Sequence, residues 1–436
     1  MQIEPEASKD EAFLERLKNA RTILLICVYQ GIAFSALRGI IDAGITDDDL
    51  PLTTSHIQGL KCYGVDEHKL RQFVKCQRHF KPARLDGNGS KLFRSEETII
   101  PYTEWKDIGS GTFSSVYKVT LKAREHDIYG DQVEEGDELK LALKVRIENG
   151  NFLEEEWRRE DTIFQKLRHH HIVQLVASYT LDFSTTPRHR HMLLPLAECN
   201  LKSVMRNSPS PSFTLLLEQL VGLTDALCLV HSHEDRESDR SLTGYHHDVK
   251  PTNILLFKVA GSDFGVLRLA DWGCAKLHHQ LRNGSSCGTN GSYIGDTDYA
   301  APETGRYDAK LSRPYDSWSI GCVILEMVVW NFLGTQGVMD FEEARRRNIN
   351  PGSVAENFAF WTKDKDNTTC LRRGVVDYKG KIARHDRCTT MTSKILGLVE
   401  RLLCLEPRER LKMAELKEEL AKILRQAQEE PETVLR

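Results

Sequence analysis

Three polar side chains fall close together in YHHDVKPTNILL, Tyr245 to Leu256: Asp248, Lys250 and Asn253. A carboxylate, a cation and an amide so spaced can accept a hydroxyl proton, offset charge on a transferring phosphoryl group and hold a magnesium ion. Downstream, GSDFGVLRLADWGCAK (Gly261 to Lys276) holds two acid–aromatic–glycine triplets, Asp263-Phe264-Gly265 and Asp271-Trp272-Gly273. Either aspartate could place a carboxylate on such an ion. Upstream, IGSGTFSSVYKV begins at Ile108. Gly109 and Gly111, in a turn completed by Ser110, Thr112, Phe113 and Ser114, let backbone N–H groups approach a phosphate closely. Ile108 and Val116 flank that turn and are placed to cover the two faces of an adenine ring. The setting is strand–turn–strand, which argues against the dinucleotide fingerprint, since that needs strand–turn–helix. Lys144 stands in the apolar run ALKV, a costly place unless it is paired or on a solvent-facing edge. Glu160 shares an inward helical stripe with Phe164 and Leu167, whereas Glu154 and Glu155 fall on the solvated face. The expectation is an ion pair between Lys144 and Glu160, with Lys144 holding the α- and β-phosphates.

These side chains need elements to position them. From about Lys9 to Phe80 the pattern is helical: Phe13, Leu17, Ala20, Leu24 and Cys27 recur at helical spacing. Gly31 is a break before a second helix around Leu37, Ile40 and Ile41, and Asp66 offers an N-cap to a third with Leu70, Phe73, Val74 and Cys76 on its apolar stripe. LDGNGSKLFRSEET, Leu85 to Thr98, has the composition of a linker. Strand-like runs follow at TEWKDI, SSVYKVTL and LKLALKV, then a charged helix from about Leu153 to Arg168, then strands at IVQLVASYT and RHMLLPL. From about Leu215 the pattern is helical, interrupted by a hairpin around Ile254–Leu269. A small sheet with one helix, followed by a larger helical half, is an α+β arrangement of two lobes. The expected organisation is a helical N-terminal domain over 1–84, a linker over 85–100, a two-lobed domain over 101–425 (lobes about 101–194 and 198–425) and a polar tail over 426–436.

With 40% hydrophobic and 28% charged residues, the 436-residue chain can bury a substantial core. A formal net charge of −4 gives no pull toward nucleic acid or an anionic membrane, and neither is expected as a partner. The acidic start MQIEPEASKDEAF is unlike a signal peptide, and the apolar run ILLICVY is far short of a membrane span. Eleven cysteines without paired CxxC spacing suggest neither a disulfide framework nor a zinc site. A soluble intracellular protein, cytoplasmic or nuclear, is the expectation.

The block YHHDVKPTNILL resembles the catalytic loop of the eukaryotic protein-kinase family, H-R-D-x-K-P-x-x-N, and further parts follow in the family's order from about Trp105 to about Leu424. The spelling YHHDVKP, the stretch LLPLAECNL and the leader ending DDDLPL are similar to kinase-domain proteins of filamentous fungi. The resemblance implies a bilobal protein-kinase-like fold, with ATP and Mg2+ held between the lobes and a protein substrate phosphorylated on Ser or Thr. It implies adenine packed by Val116, Ala142 and Leu255, with hydrogen bonds to the backbone near Leu196 and Ala197. It makes Asp248 the base and Asn253 a metal ligand, and the Ser/Thr preference rests on Lys250. It also separates the two triplets. The family places two strands and a tight turn between its metal-binding Asn and Asp, about a dozen residues at ordinary strand lengths. Asn253 to Asp263 is too short for that, and Asn253 to Asp271 is long enough. Asp271 is therefore expected as the metal ligand and the conventionally spelled Asp263 triplet as a decoy. Ala301-Pro302-Glu303 matches the family's A-P-E element, with Arg410 the expected partner of Glu303, and Asp316 is expected to cap the catalytic-loop backbone.

The chain departs from the family in places. Ser114 replaces a third glycine, and His247 replaces the arginine that pairs with an activation-loop phosphate, a role a protonated histidine could partly fill. Asp296 stands where a threonine is usual. The inserts AREHDIYGDQVEEGDE and SHEDRESDRSLTG read as solvated loops. Two alternatives stay open at this point: a pseudokinase that binds ATP without turnover, and a small-molecule phosphotransferase. The helical domain is either an interaction domain with its own protein partner or a brace on the small lobe.

Overall fold

The computed structural model describes residues 10–53, 55–80, 83, 85–86, 90–94, 98–110, 114–122, 126–127, 138–147, 164, 166–182, 188–235, 240–279, 297–305, 312–346 and 358–430. The chain divides into two compact units, residues 1–150 with 175–195, and 151–174 with 196–436.

The first unit opens with helices α1 (Glu11–Lys18), α2 (Arg21–Tyr29), α3 (Phe34–Asp42) and α4 (Glu67–Phe80). Asp10 caps α1 through the Phe13 amide, and Asp66 accepts from Lys69 N at the start of α4. Ala20 cannot cap α2, and Asp47, distant in sequence, does so by accepting from Thr22 N and Ile23 N at 2.9 and 3.0 Å. The expected single stripe from Phe13 to Cys27 is thus two helices joined at Asn19–Ala20. Phe13, Ile23, Ile26, Leu37, Ile40, Leu70 and Phe73 form their core, while Leu17, Leu24 and Val74 are only partly buried. Buried Gln77 spans the backbone N–H and C=O of Leu52, which satisfies its amide.

Strands β1 (Leu85–Asp86) and β2 (Ser90–Arg94) come next, inside the expected linker. β3 (Glu104–Ser110), β4 (Ser115–Lys122), β5 (His126–Asp127), β6 (Glu138–Ile147), β7 (Ala177–Asp182) and β8 (His189–Pro195) complete the unit. The main sheet runs β2-β7-β8-β6-β4-β3, and β1 pairs separately with β5. β2 joins parallel to β7, from Ser90 opposite Ser178 to Arg94 opposite Asp182. The physical reason is a neighbour, not a propensity: the Phe93 ring packs 5.9 Å from Tyr179, and Leu85 is buried in the same core. Leu141 and Leu143 point into that core with Val119, Leu121 and Leu193, so Ala142 and Lys144 take the opposite face.

The second unit contains β9 (Cys199–Asn200), α5 (Leu201–Asn207), α6 (Phe213–His231), β10 (His233–Asp235), β11 (Arg240–Tyr245), β12 (Ile254–Phe257), β13 (Val266–Leu269) and β14 (Lys276–His279). It continues with α7 (Arg313–Arg346), β15 (Trp361–Lys363), β16 (Thr369–Leu371), α8 (Arg373–Ala383), α9 (Thr390–Leu402) and α10 (Met413–Glu429). α6 and α7 are long and apolar enough to cross a membrane by length and composition alone, and here half of α6 and most of α7 are buried. α7 is broken at Gly334, whose φ of +67° is outside the helical region. α6 lets His171 approach because residue 222 is glycine: a Cβ there would stand 2.0 Å from the imidazole. His171 Nδ1 in turn bonds the Leu267 carbonyl at 2.7 Å, tying residue 171 to β13.

The second insert is a correction. Instead of a solvated loop, it contributes a hairpin, β10–β11, and β11 pairs antiparallel with β14, Leu242 opposite His279 through Tyr245 opposite Lys276. Charged composition hid this because the partner backbone, not hydrophobic alternation, completes the ladder. Most of the first insert and of the charged helix expected over 153–168 lies outside the described residues.

Candidate active site

In the second unit the site is built on one buried carboxylate. Asp316, in the first turn of α7, is fully buried and accepts from His246 N and His247 N, both at 2.8 Å, and bonds His231 Nε2 at 2.9 Å. Burial alone would raise its pKa. The His231 hydrogen bond and the nearby imidazoles of His231, His247 and His246 outweigh that and hold the carboxyl below its usual range. The expected cap beneath the loop is present. His246 carries the fixing one residue further: its Nδ1 accepts from Asp248 N at 3.3 Å, so Nε2 bears the proton and donates to the Ala270 carbonyl at 3.1 Å. Its ring also lies 4.5 Å from buried Trp272. The sequence reading assigned no role to His246 or His231. His246 could have been found from the motif's first histidine, whereas His231 ends an apolar helix and carries no local signal.

Asp248, Lys250 and Asn253 are in mutual contact through Asp248. Asn253 Nδ2 donates to the Asp248 carbonyl at 3.0 Å and to its Oδ2 at 2.8 Å, and Lys250 Nζ lies 3.0 Å from the same Oδ2. A 3-10 turn over Pro251–Asn253 sets that spacing, with Asn253 N donating to the Lys250 carbonyl. Asn253 also accepts Ala270 N at 2.8 Å, so its backbone fixes the residue before Asp271.

The two triplets occupy different structures. β12 and β13 pair as a hairpin from Ile254 opposite Leu269 to Phe257 opposite Val266, and Asp263-Phe264-Gly265 lies in its connection with Asp263 exposed. Gly265 has φ +98°, and a Cβ there would stand 2.2 Å from the Phe257 carbonyl oxygen. That glycine serves the hairpin. Asp271 follows β13 with φ +63°, an uncommon conformation for a residue with a side chain. Its exposed side chain receives the Gly273 amide only at 3.4 Å. Asn253 donates its amide hydrogens to Asp248, so its side-chain oxygen and the Asp271 carboxylate are the donors that could take a metal. A carboxylate and an amide oxygen are hard donors of the kind a small cation such as Mg2+ takes.

In the first unit, Lys144 is 7% exposed on β6, with Val116 of β4 and Met192 of β8 as its cross-strand neighbours. Ala142 lies two residues back on the same face, opposite Leu194. Gly109 faces Val116 across a register shift after Asp107, and its amide donates to Asp107 Oδ1 at 3.0 Å. Among the described residues nothing lies within 4 Å of a Cβ built on Gly109, and Ile108 is 48% exposed. Ser110 closes β3 opposite Ser115, and Ser114 is half-buried. Gly111, Thr112, Phe113, Glu160 and Asp296 lie outside the described residues. In the second unit, Leu196 and Ala197 are half-buried at its start, and Leu255 on β12 faces Asn200 and Arg268.

Buried polar pairs frame the segment 297–305. Arg410 donates to Glu303 through two bonds of 2.7 Å, both side chains nearly inaccessible. Tyr299 donates to Glu326, which Arg345 neutralises at 2.7 Å. Trp361 Nε1 holds the Ala300 carbonyl and Ser319 Oγ the Tyr299 carbonyl. His247 is 6% exposed and packed by aromatic rings, so it is not displayed as the arginine substitute considered from sequence.

Comparison with known proteins agrees with this arrangement. Similar chains include Serine/threonine-protein kinase ATG1 of Debaryomyces hansenii, 27% identical over 273 residues, 56% of this chain and 28% of that protein. Glycogen synthase kinase 1 of Pyricularia oryzae is 28% identical over 283 residues, 60% of this chain and 62% of that protein. Serine/threonine-protein kinase srk1 of Schizosaccharomyces pombe is 26% identical over 285 residues, 56% of this chain and 43% of that protein. The matched region thus spans less than two thirds of each of these relatives. The protein kinase domain family matches residues 102–420, which takes in every residue of the site described above, and the chain belongs to that family.

Proposed function

We propose that this chain transfers the γ-phosphoryl group of MgATP to Ser and Thr hydroxyls of protein substrates. The observation that carries the reading is Asp248, held at its amide by His246, at its carbonyl and carboxylate by Asn253, and within 3.0 Å of Lys250. A carboxylate so fixed can orient an incoming hydroxyl and take its proton. Lys250 offsets charge on the phosphoryl group as it moves, and buried Lys144 serves the α- and β-phosphates. Asn253 and Asp271 would hold Mg2+, which when bound neutralises phosphate charge. Val116 and Ala142, on one face of the first unit's sheet, offer apolar surface suited to an adenine ring. The Ser/Thr preference is supported by Lys250 and by the names of the similar kinases. The described cysteines are free, which suits an intracellular setting.

Radiolabelled ATP and a Ser/Thr peptide library test the reading. Wild type should label the library, and Asp248→Asn should be slower by about 10²–10⁴, the range of a positioned general base. Equal labelling by both proteins would leave an ATP-binding scaffold as the better account.

A further inference from the structure

His247 immediately precedes Asp248 and has φ +67°, a left-handed conformation that a side chain makes unfavourable. Its ring does not project into solvent. It stacks on Tyr245 with centroids 4.0 Å apart and planes at 20°, and it meets Tyr315 at 4.9 Å and 55°. All three residues are buried, and the His247 amide donates to Asp316 Oδ1 at 2.8 Å. The two tyrosines come from different elements. Tyr245 ends β11, opposite Lys276 of β14, and Tyr315 precedes Asp316 in the first turn of α7. One imidazole therefore joins the strand entering the catalytic loop to the helix beneath it.

We propose that His247 is a positioning residue for phosphotransfer: its ring, wedged between Tyr245 and Tyr315, stabilises the left-handed turn that aims Asp248. The ring contacts offset the unfavourable backbone, and the Asp316 hydrogen bond fixes the direction in which the turn opens. Stacking needs a flat ring rather than an ionisable one. Phenylalanine should therefore do the same work, whereas glycine, which relaxes φ but removes the ring, should not.

The inference rests on the kinase reading, and the experiment separates the two. Full-length His247→Phe, His247→Ala and His247→Gly would be compared with wild type by kcat, by KM for ATP, and by amide hydrogen exchange over residues 246–253. The Ala and Gly variants should lose kcat by about 10–100-fold, the scale of a small misplacement of a reacting group, with KM for ATP nearly unchanged. Their loop amides should exchange faster, and the Phe variant should stay near wild type in all three measurements. A Gly variant as active as wild type would show that backbone freedom alone suffices and would overturn the proposal. So would a Phe variant as impaired as Ala. If wild type itself transfers no phosphate, the kinase reading fails, and exchange still decides the wedge: unchanged loop exchange in the Ala and Gly variants would refute it.

Discussion

Gly265 and Asp271 lie six positions apart in chain and belong to different jobs, which single substitutions can separate. Gly265 combines φ +98° with a Cβ position 2.2 Å from a carbonyl oxygen. Gly265→Ala should therefore destabilise the fold by about 1–3 kcal/mol, read as a lower urea midpoint at unchanged slope. That Asp263 lies within the β12–β13 hairpin and Asp271 beyond it agrees with the spacing that the family resemblance implies. What the hairpin glycine does was not legible, since φ and the nearness of Phe257 appear only once β12 and β13 pair. The left-handed backbone at His247 was hidden for the same reason. Its stacking partners, Tyr245 and Tyr315, are seventy positions apart.

Among the elements, α7 carries the most consequence, because Asp316, Glu326 and Arg345 on it are all buried and each is matched. The Glu303–Arg410 pair holds the turn after Ala301 to the chain just before α10. Removing one partner leaves a buried charge unmatched, so Glu303→Ala should cost about 3–5 kcal/mol, checked by chemical unfolding. This pairing was expected from sequence, since both residues sit in spelled motifs. The strands β2, β10 and β11 were not. Ser90–Arg94 is short and has polar ends, and the insert before Tyr245 is charged; the first joins β7 with Phe93 against Tyr179, the second completes the ladder of β14. Pattern reading finds strands that bury a face and overlooks strands recruited by an edge.

Across the whole molecule, two features set how stability should respond. The helices of residues 10–80 have a core of their own, separate from that of the first unit's sheet. Deleting residues 1–82 should therefore lower the melting temperature of the remainder by about 4 °C or less, as expected when roughly a kilocalorie is lost. A much larger fall would make the helical domain a brace instead. The helical character of residues 10–80 could be read from periodicity, but the cap of α2 by Asp47 could not, being a long-range contact. The second feature is pH. Burial, the main cause, lowers the pKa values of His171 and His191 to about 4. The unfolded chain takes up these protons near pH 6.5, whereas the folded one does so only near pH 4. Stability from the neutral rings is thus complete above about pH 6.5 and falls as pH drops toward 4. Thermal melts should show that decline, and His191→Phe should flatten part of it.

We propose that Asp271, the aspartate after β13 in the Asp-Trp-Gly triplet, would hold the metal for phosphotransfer. This is tested most directly by magnesium-dependent ATP turnover in Asp271→Ala and Asp263→Ala beside wild type. Turnover should be abolished in the first variant and stay near wild type in the second. Comparable loss in both, or loss confined to Asp263→Ala, would contradict it.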